Sequence, residues 1–157
     1  MTSTRTSRLI KASPEALYAA FMNSAALVTW LPPAEMTGQI HTFDARVGGG
    51  YRMSLFYPPS DAATGEPAPR GKTTDREDRV NVRFVELVPA RRIVEAVTFD
   101  TADPTLQGEM TITVTFEERG DGTEVSFLCA NLPAGLRAED NDAGARLSLE
   151  QLAHRFE

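Results

Sequence analysis

From Thr37 to Asn131 the chain is written in the two-residue period of β-strands, whereas the segments on either side follow the 3.6-residue period of helices. Six extended segments fall into three pairs. Thr37–Asp44 and Tyr51–Tyr57 are joined through Arg46-Val47-Gly48-Gly49-Gly50. Glu77–Val88 and Arg91–Phe99 flank Pro89-Ala90, and Glu109–Glu117 and Thr123–Asn131 flank Arg119-Gly120-Asp121-Gly122. Asp-Gly between alternating strands is the strongest short hairpin signal in the chain. Consecutive hairpins build an antiparallel meander, and a meander with one apolar face must bury that face against another layer.

The flanking segments supply that layer. A first extended stretch, Thr2 to Lys11, leads into Ser13-Pro14-Glu15, a helix start with a capping hydroxyl, a proline at the first helical position and an acid at the positive end of the dipole. Leu17, Ala20, Phe21 and Ser24 form one stripe of a helix expected to end before Trp30-Leu31-Pro32-Pro33. A last helix begins near Asn141 or Asp142, with Ala145, Leu149, Leu152 and Phe156 on its apolar stripe and Leu147 opposite. The expected fold class is therefore α+β: a curved antiparallel sheet of about six to seven strands around a long C-terminal helix, one domain over residues 1–157. The longest irregular stretch, Pro58 to Arg76, holds four prolines and two glycines; a loop of that length reads equally as a lid or as disorder. A shorter loop runs from Thr101 to Gly108.

Charge narrows the partners. With 22 acidic against 16 basic residues and a net charge of −6, the chain lacks the basic field of a nucleic-acid binder. The cluster Arg5, Arg8 and Lys11 reads as a solvated strand face. Cys129 has no second cysteine to pair with, which points to the cytoplasm. Met1 to Arg8 has no apolar signal-peptide region, and no apolar run reaches the ~20 residues of a membrane helix, so no membrane insertion is expected.

Five segments together carry a resemblance: Ser13 to Phe21, Trp30-Leu31-Pro32-Pro33, Phe43 to Arg52, Arg83 to Pro89, and Ser148-Leu149-Glu150-Gln151-Leu152. In this order and at these separations the chain resembles the START-like (SRPBCC) superfamily, and within it the bacterial proteins similar to the C-terminal domain of the Hsp90 ATPase activator. The resemblance covers nearly the whole chain. It implies a helix-grip fold with a deep cavity between the C-terminal helix and the concave sheet face, used in relatives for lipids, hormones, polyketides or aromatic substrates. It also implies contact with a chaperone as an alternative role, although the N-terminal domain of the eukaryotic activators is missing from this sequence. No shared catalytic motif comes with it, so no catalytic residue is carried over.

Strand parity locates the cavity wall. Tyr51, Met53 and Leu55 share a face, as do Val80, Val82 and Phe84, then Met110, Ile112, Val114 and Phe116, and Val125, Phe127 and Cys129. Glu95 falls on the apolar parity with Ile93, Val97 and Phe99. A carboxylate there is a cavity acid or ligand partner, or else a parity slip, a bulge or the mate of an internal arginine. Asp78 shares parity with Val80 at a strand mouth. Asn131 continues the Cys129 face. His41 shares parity with Phe43 but not with Ile40, so its strand is ambiguous. Trp30 and Tyr51 read as core aromatics or pocket wall. The expected ligand-contacting residues are Trp30, His41, Tyr51, Met53, Val82, Phe84, Glu95, Val97, Met110, Ile112, Leu149 and Leu152.

Other chemistry is poorly signalled. Gly48-Gly49-Gly50 precedes a strand and lacks the Lys-Ser/Thr pair of a phosphate loop. His41 and His154 lack metal-ligand spacing, Cys129 has no histidine nearby in sequence, and no G-x-S-x-G elbow occurs. No metal or cofactor is expected. The expected function is non-catalytic binding of a small apolar or amphipathic molecule. The alternatives are a polyketide cyclase- or dehydratase-like enzyme using Glu95, His41 or Asp78 as acid–base groups, and a chaperone-interacting module.

Overall fold

The structure is a computed structural model that describes residues 2–32, 36–57 and 77–156. The Pro58–Arg76 stretch, with its two readings, lies outside the described residues, as does Pro33. The order is β1 (Ser3–Ile10), α1 (Pro14–Phe21), α2 (Ser24–Trp30), β2 (Thr37–Asp44), β3 (Gly50–Phe56), β4 (Glu77–Val88), β5 (Arg92–Phe99), a 3₁₀ turn (Pro104–Leu106), β6 (Met110–Arg119), β7 (Gly122–Ala130) and α3 (Ala138–Phe156). The strands make one seven-stranded antiparallel sheet in the order β1-β7-β6-β5-β4-β3-β2. The meander from β2 to β7 is as the periodicity predicts, and β1 returns to pair with β7, placing Thr6 opposite Phe127. The curved sheet grips α3, which is the helix-grip arrangement.

Two local devices were missed by the periodicity. The first helical segment is two helices. Ser13 caps α1 by accepting from the Ala16 N–H at 3.1 Å. The chain then leaves helical geometry at Asn23, whose side chain accepts from the Ala26 N–H at 3.0 Å and starts a second helix. Asparagine competes with the backbone in this way, so Ser24 opens α2 instead of extending the α1 stripe. The bend lets Trp30 lie edge-on to Phe21, ring centres 4.7 Å apart, with its indole N–H donating to the Ala20 carbonyl at 3.1 Å.

The other device is the β-bulge. On β2 the register shifts between Ile40 and Thr42, leaving His41 as the extra residue. Ile40 and Phe43 therefore both pack against the core although their spacing is odd. This removes the ambiguity of that strand. A matching shift between Phe84 and Glu86 leaves Val85 unpaired on β4, while β5 opposite keeps its alternation. The β6–β7 turn also differs from expectation by one residue: Arg119 pairs with Gly122, so Gly120 and Asp121 form the loop. Gly120 has φ +63°, the left-handed conformation that a primed hairpin turn requires at its first position.

The C-terminal helix starts at Ala138, nearly a turn before the expected Asn141, with Glu139 and Asp140 in its first turn. Leu149, Leu152 and Ala153 are fully enclosed, Ala145 and Phe156 pack at the edge of the core, and Leu147 is exposed. Ser148 and Gln151 bind this helix to α2. The Ser148 hydroxyl donates to the Leu31 carbonyl at 2.6 Å, and the Gln151 amide donates to the carbonyls of Trp30 and Pro32 at 2.7 and 2.8 Å. These are the open carbonyls left by the end of α2. Two of the segments that carried the family resemblance are thus halves of one joint.

Candidate functional site: a cavity between the sheet and the C-terminal helix

The concave face is packed at one end and open at the other. Under the C-terminal half of α3, Leu149 and Leu152 meet Trp30, Phe84 and Ile93 in a closed core, each at most 1% exposed. Under its N-terminal half and middle the helix presents Gly144, Ala145 and Ser148, small residues where a core helix would carry leucines. A Cβ added at Gly144 would meet nothing within 4 Å. The space they leave is a cavity of about 680 Å³. Its sheet wall includes Tyr51 and Met53 from β3, Val82 from β4, Glu95 and Val97 from β5, Met110 and Ile112 from β6, and Phe127 and Cys129 from β7. Phe21, Leu27, Leu31 and Leu136 complete it from the helical side.

The structure therefore divides the sequence-predicted set. Tyr51, Met53, Val82, Glu95, Val97, Met110 and Ile112 line the cavity. Trp30, Phe84, Leu149 and Leu152 share the same face but belong to the closed core and do not line it. His41 does neither. Its bulge turns it outward, and its Nε2 lies 2.8 Å from the Ser54 hydroxyl on the opposite side of the sheet. Ser54 donates in turn to Glu77 Oε2 at 2.5 Å, so the histidine nitrogen is the donor to Ser54. Asp78 lines the cavity and accepts from the Tyr57 hydroxyl at 2.8 Å. Asn131 takes φ +60° at the end of β7 and is exposed, so it does not extend the Cys129 face inward. Parity missed the α3 side of the cavity, including Asp140, Asn141 and Gly144. The signal for it was the run of small residues Ala143-Gly144-Ala145 in the N-terminal half of the helix.

Glu95 is the polar centre of the wall. Its register neighbours are Phe84 and Ile112, and it is 7% exposed. Among the described residues no arginine, amide or hydroxyl hydrogen-bonds its carboxyl, and burial raises that carboxyl from an ordinary value of 4.5 to about 7. The Tyr51 hydroxyl is pushed well up by burial, with the charge of Glu95 adding to the effect. Burial likewise raises the Cys129 thiol. Hydrogen bonds with Asn141 and Thr4 offset part of this, and the charges of Glu95 and Asp142 add to it. The net effect disfavours the thiolate, the reactive form of cysteine. On the β1 side, Asn141 donates to the Thr4 hydroxyl at 2.9 Å and Thr6 donates to Asp142, which holds the start of α3 over the sheet. No group of three or more metal-binding side chains occurs among the described residues, and no described helix is long and apolar enough to cross a membrane.

Comparison with known proteins identifies the family and agrees with the fold. Residues 11–157 match the family described as Activator of Hsp90 ATPase homolog 1-like protein. Protein CV1439 from Chromobacterium violaceum is 32% identical with a TM-score of 0.82, over 99% of this chain and 96% of that one. Mll3558 from Rhizobium loti is 25% identical with a TM-score of 0.68, over 98% and 95%. The Aha1 dimer from Colwellia psychrerythraea, 18% identical with a TM-score of 0.65 over 100% and 97%, shows the shared fold. No curated protein matches. With the family matched from Lys11 onward and a 32% identical relative aligned almost end to end, the chain belongs to the Activator of Hsp90 ATPase homolog 1-like family.

Proposed function

We propose that this protein is a non-catalytic binder that encloses one small apolar or amphipathic molecule between its sheet and α3. The observation that carries this reading is the cavity itself. At about 680 Å³ it falls within the roughly 300–1,000 Å³ of small-molecule sites, and its wall is mainly apolar with a few polar groups.

A catalytic reading needs two acid–base groups within reach of one atom. Of the three candidates, His41 lies on the opposite face of the sheet. Asp78 stands six residues along β4 from Phe84, the register partner of Glu95, a separation of roughly 20 Å at strand rise. These carboxyls do not converge.

Native mass spectrometry of the protein purified from its own host tests the proposal. A retained small molecule is the expected result. A retained chaperone with an empty cavity overturns it in favour of a protein-interaction module. In parallel, the neutral reporter N-phenyl-1-naphthylamine is expected to gain fluorescence on entering the cavity. No gain with the folded protein counts against any small-molecule role.

A further inference from the structure

We infer that the ligand of this cavity carries a protonated amine, seated against Glu95 and attached to an apolar body that fills the rest of the space. The inference rests on the cavity reading above and adds the chemistry of the ligand's polar end.

The argument begins with the missing partner. Glu95 is more than nine-tenths buried and faces the cavity, and no described group hydrogen-bonds its carboxyl. Buried carboxylates are normally paired, because an isolated one is strongly disfavoured in apolar surroundings. Several of the other polar groups of the wall are already engaged, and the Tyr51 hydroxyl makes no hydrogen bond to Glu95. Ser148 donates to Leu31, Asn141 donates to Thr4, and Tyr57 donates to Asp78. The partner that Glu95 lacks is therefore not supplied by the described protein groups, and a bound molecule can supply it.

The sign of that partner follows from the titratable and charged groups that line the cavity with Glu95. These are Tyr51 from β3, Tyr57 just after it, Asp78 from β4, Cys129 from β7, Arg137 just before α3 and Asp140 in its first turn. Arg137, the one base among them, makes an exposed ion pair with Glu139 at 2.8 Å. Acids outnumber bases, so a carboxylate ligand meets repulsion. A neutral ligand leaves Glu95 uncompensated once it ionises. An ammonium compensates it with a charge-assisted hydrogen bond. Phe99, Phe127 and Tyr51 on the same wall add aromatic rings, the side chains that attract cations.

The test is displacement of N-phenyl-1-naphthylamine by decylamine, decan-1-ol and decanoate, which share one apolar chain and are used below their micelle concentrations. Decylamine stays protonated throughout the range used, so a change in preference with pH reports on the protein. At about pH 8.5, with Glu95 ionised, decylamine is expected to displace the reporter at about thirtyfold lower concentration than decan-1-ol, the effect of a hydrogen bond to a charged group. Decanoate is expected to be weakest. The preference should shrink to a few-fold at about pH 5.5, where Glu95 is protonated. Glu95→Gln should abolish this preference, making amine and alcohol equal at both pH values, with a cooperative melt showing that the variant is folded.

Equal binding of amine and alcohol at high pH overturns the inference and leaves the cavity reading intact, as does a preference that survives in Glu95→Gln. Alcohol binding that strengthens at low pH in the native protein also overturns it, because Glu95 would then act as a neutral hydrogen-bond donor. Failure of the reporter to bind the folded native protein overturns the cavity reading, and the inference with it.

Discussion

Glu95 shows how much a single side chain can carry in this fold. Its carboxyl is raised from 4.5 to about 7 by burial, so the folded state holds the proton more tightly than the unfolded chain does. The sign follows from linkage: no penalty exists below the unfolded value, and stability is lost as pH rises from about 4.5 through 7. The full loss is about 3 kcal/mol. Denaturant unfolding of the ligand-free protein should show a lower midpoint at about pH 8 than at about pH 5, and Glu95→Gln should be nearly flat over that range and more stable at the upper end. A native midpoint that rises over this interval would contradict the burial of an unpaired acid. Parity alone placed Glu95 on the inner face. That it faces open space instead of an arginine was not legible, because a partner depends on what other strands and α3 bring to the same point. His41 shows the reverse case: one inserted residue on β2 sends it to the other face.

At the scale of elements, the joints decide more than the propensities. Asn23 separates two short helices, and its side chain replaces a hydrogen bond that a continuous helix would have made internally. Asn23→Ala should cost about 1 kcal/mol in unfolding free energy, with Asn23→Asp losing much less. The joint between α2 and α3 is stronger, because Gln151 satisfies two carbonyls at once. Gln151→Ala should destabilise by about 2 kcal/mol, and Gln151→Glu should also be poor, since a carboxylate cannot donate to those oxygens. Gly50 starts β3 with φ +151°, and a Cβ there would lie 1.8 Å from the Val82 carbonyl oxygen. Gly50→Ala should therefore displace β3 from β4, read as a lower thermal midpoint together with weaker reporter binding, because Tyr51 and Met53 follow directly on that strand.

For the whole molecule, α3 divides the concave face into a packed half and an open half. Substitutions in the two halves should act in opposite ways. Leu152→Ala removes a fully buried side chain from the packed half and should cost about 3 kcal/mol of stability, with reporter affinity of the folded protein little changed. Ile112→Phe adds volume in the open half, beside Glu95 and Cys129. It should leave stability within about 1 kcal/mol while weakening reporter binding about tenfold or more, because the added ring occupies ligand space. If Ile112→Phe instead unfolds the protein as Leu152→Ala does, the open half is core and not pocket.

The β2–β7 meander, its hairpin pairing and the inner face of each regular strand could be read from the residues, since period and turn chemistry are local properties, whereas the place of β1 beside β7 could not. Ser13 took its capping role, and Leu149 and Leu152 fell on the apolar stripe of α3, for the same reason, although the two leucines seal the core instead of lining the cavity. What could not be read locally was which inner residues touch other side chains and which face empty space. Phe84 and Val82 share a parity and a strand, yet one is sealed in the core and the other walls the cavity. The difference is made by the helix packed across the sheet, where Leu149 and Leu152 fill one end and Gly144 and Ala145 leave the other open. Volume left between two surfaces depends on both, and the two surfaces here are far apart in sequence.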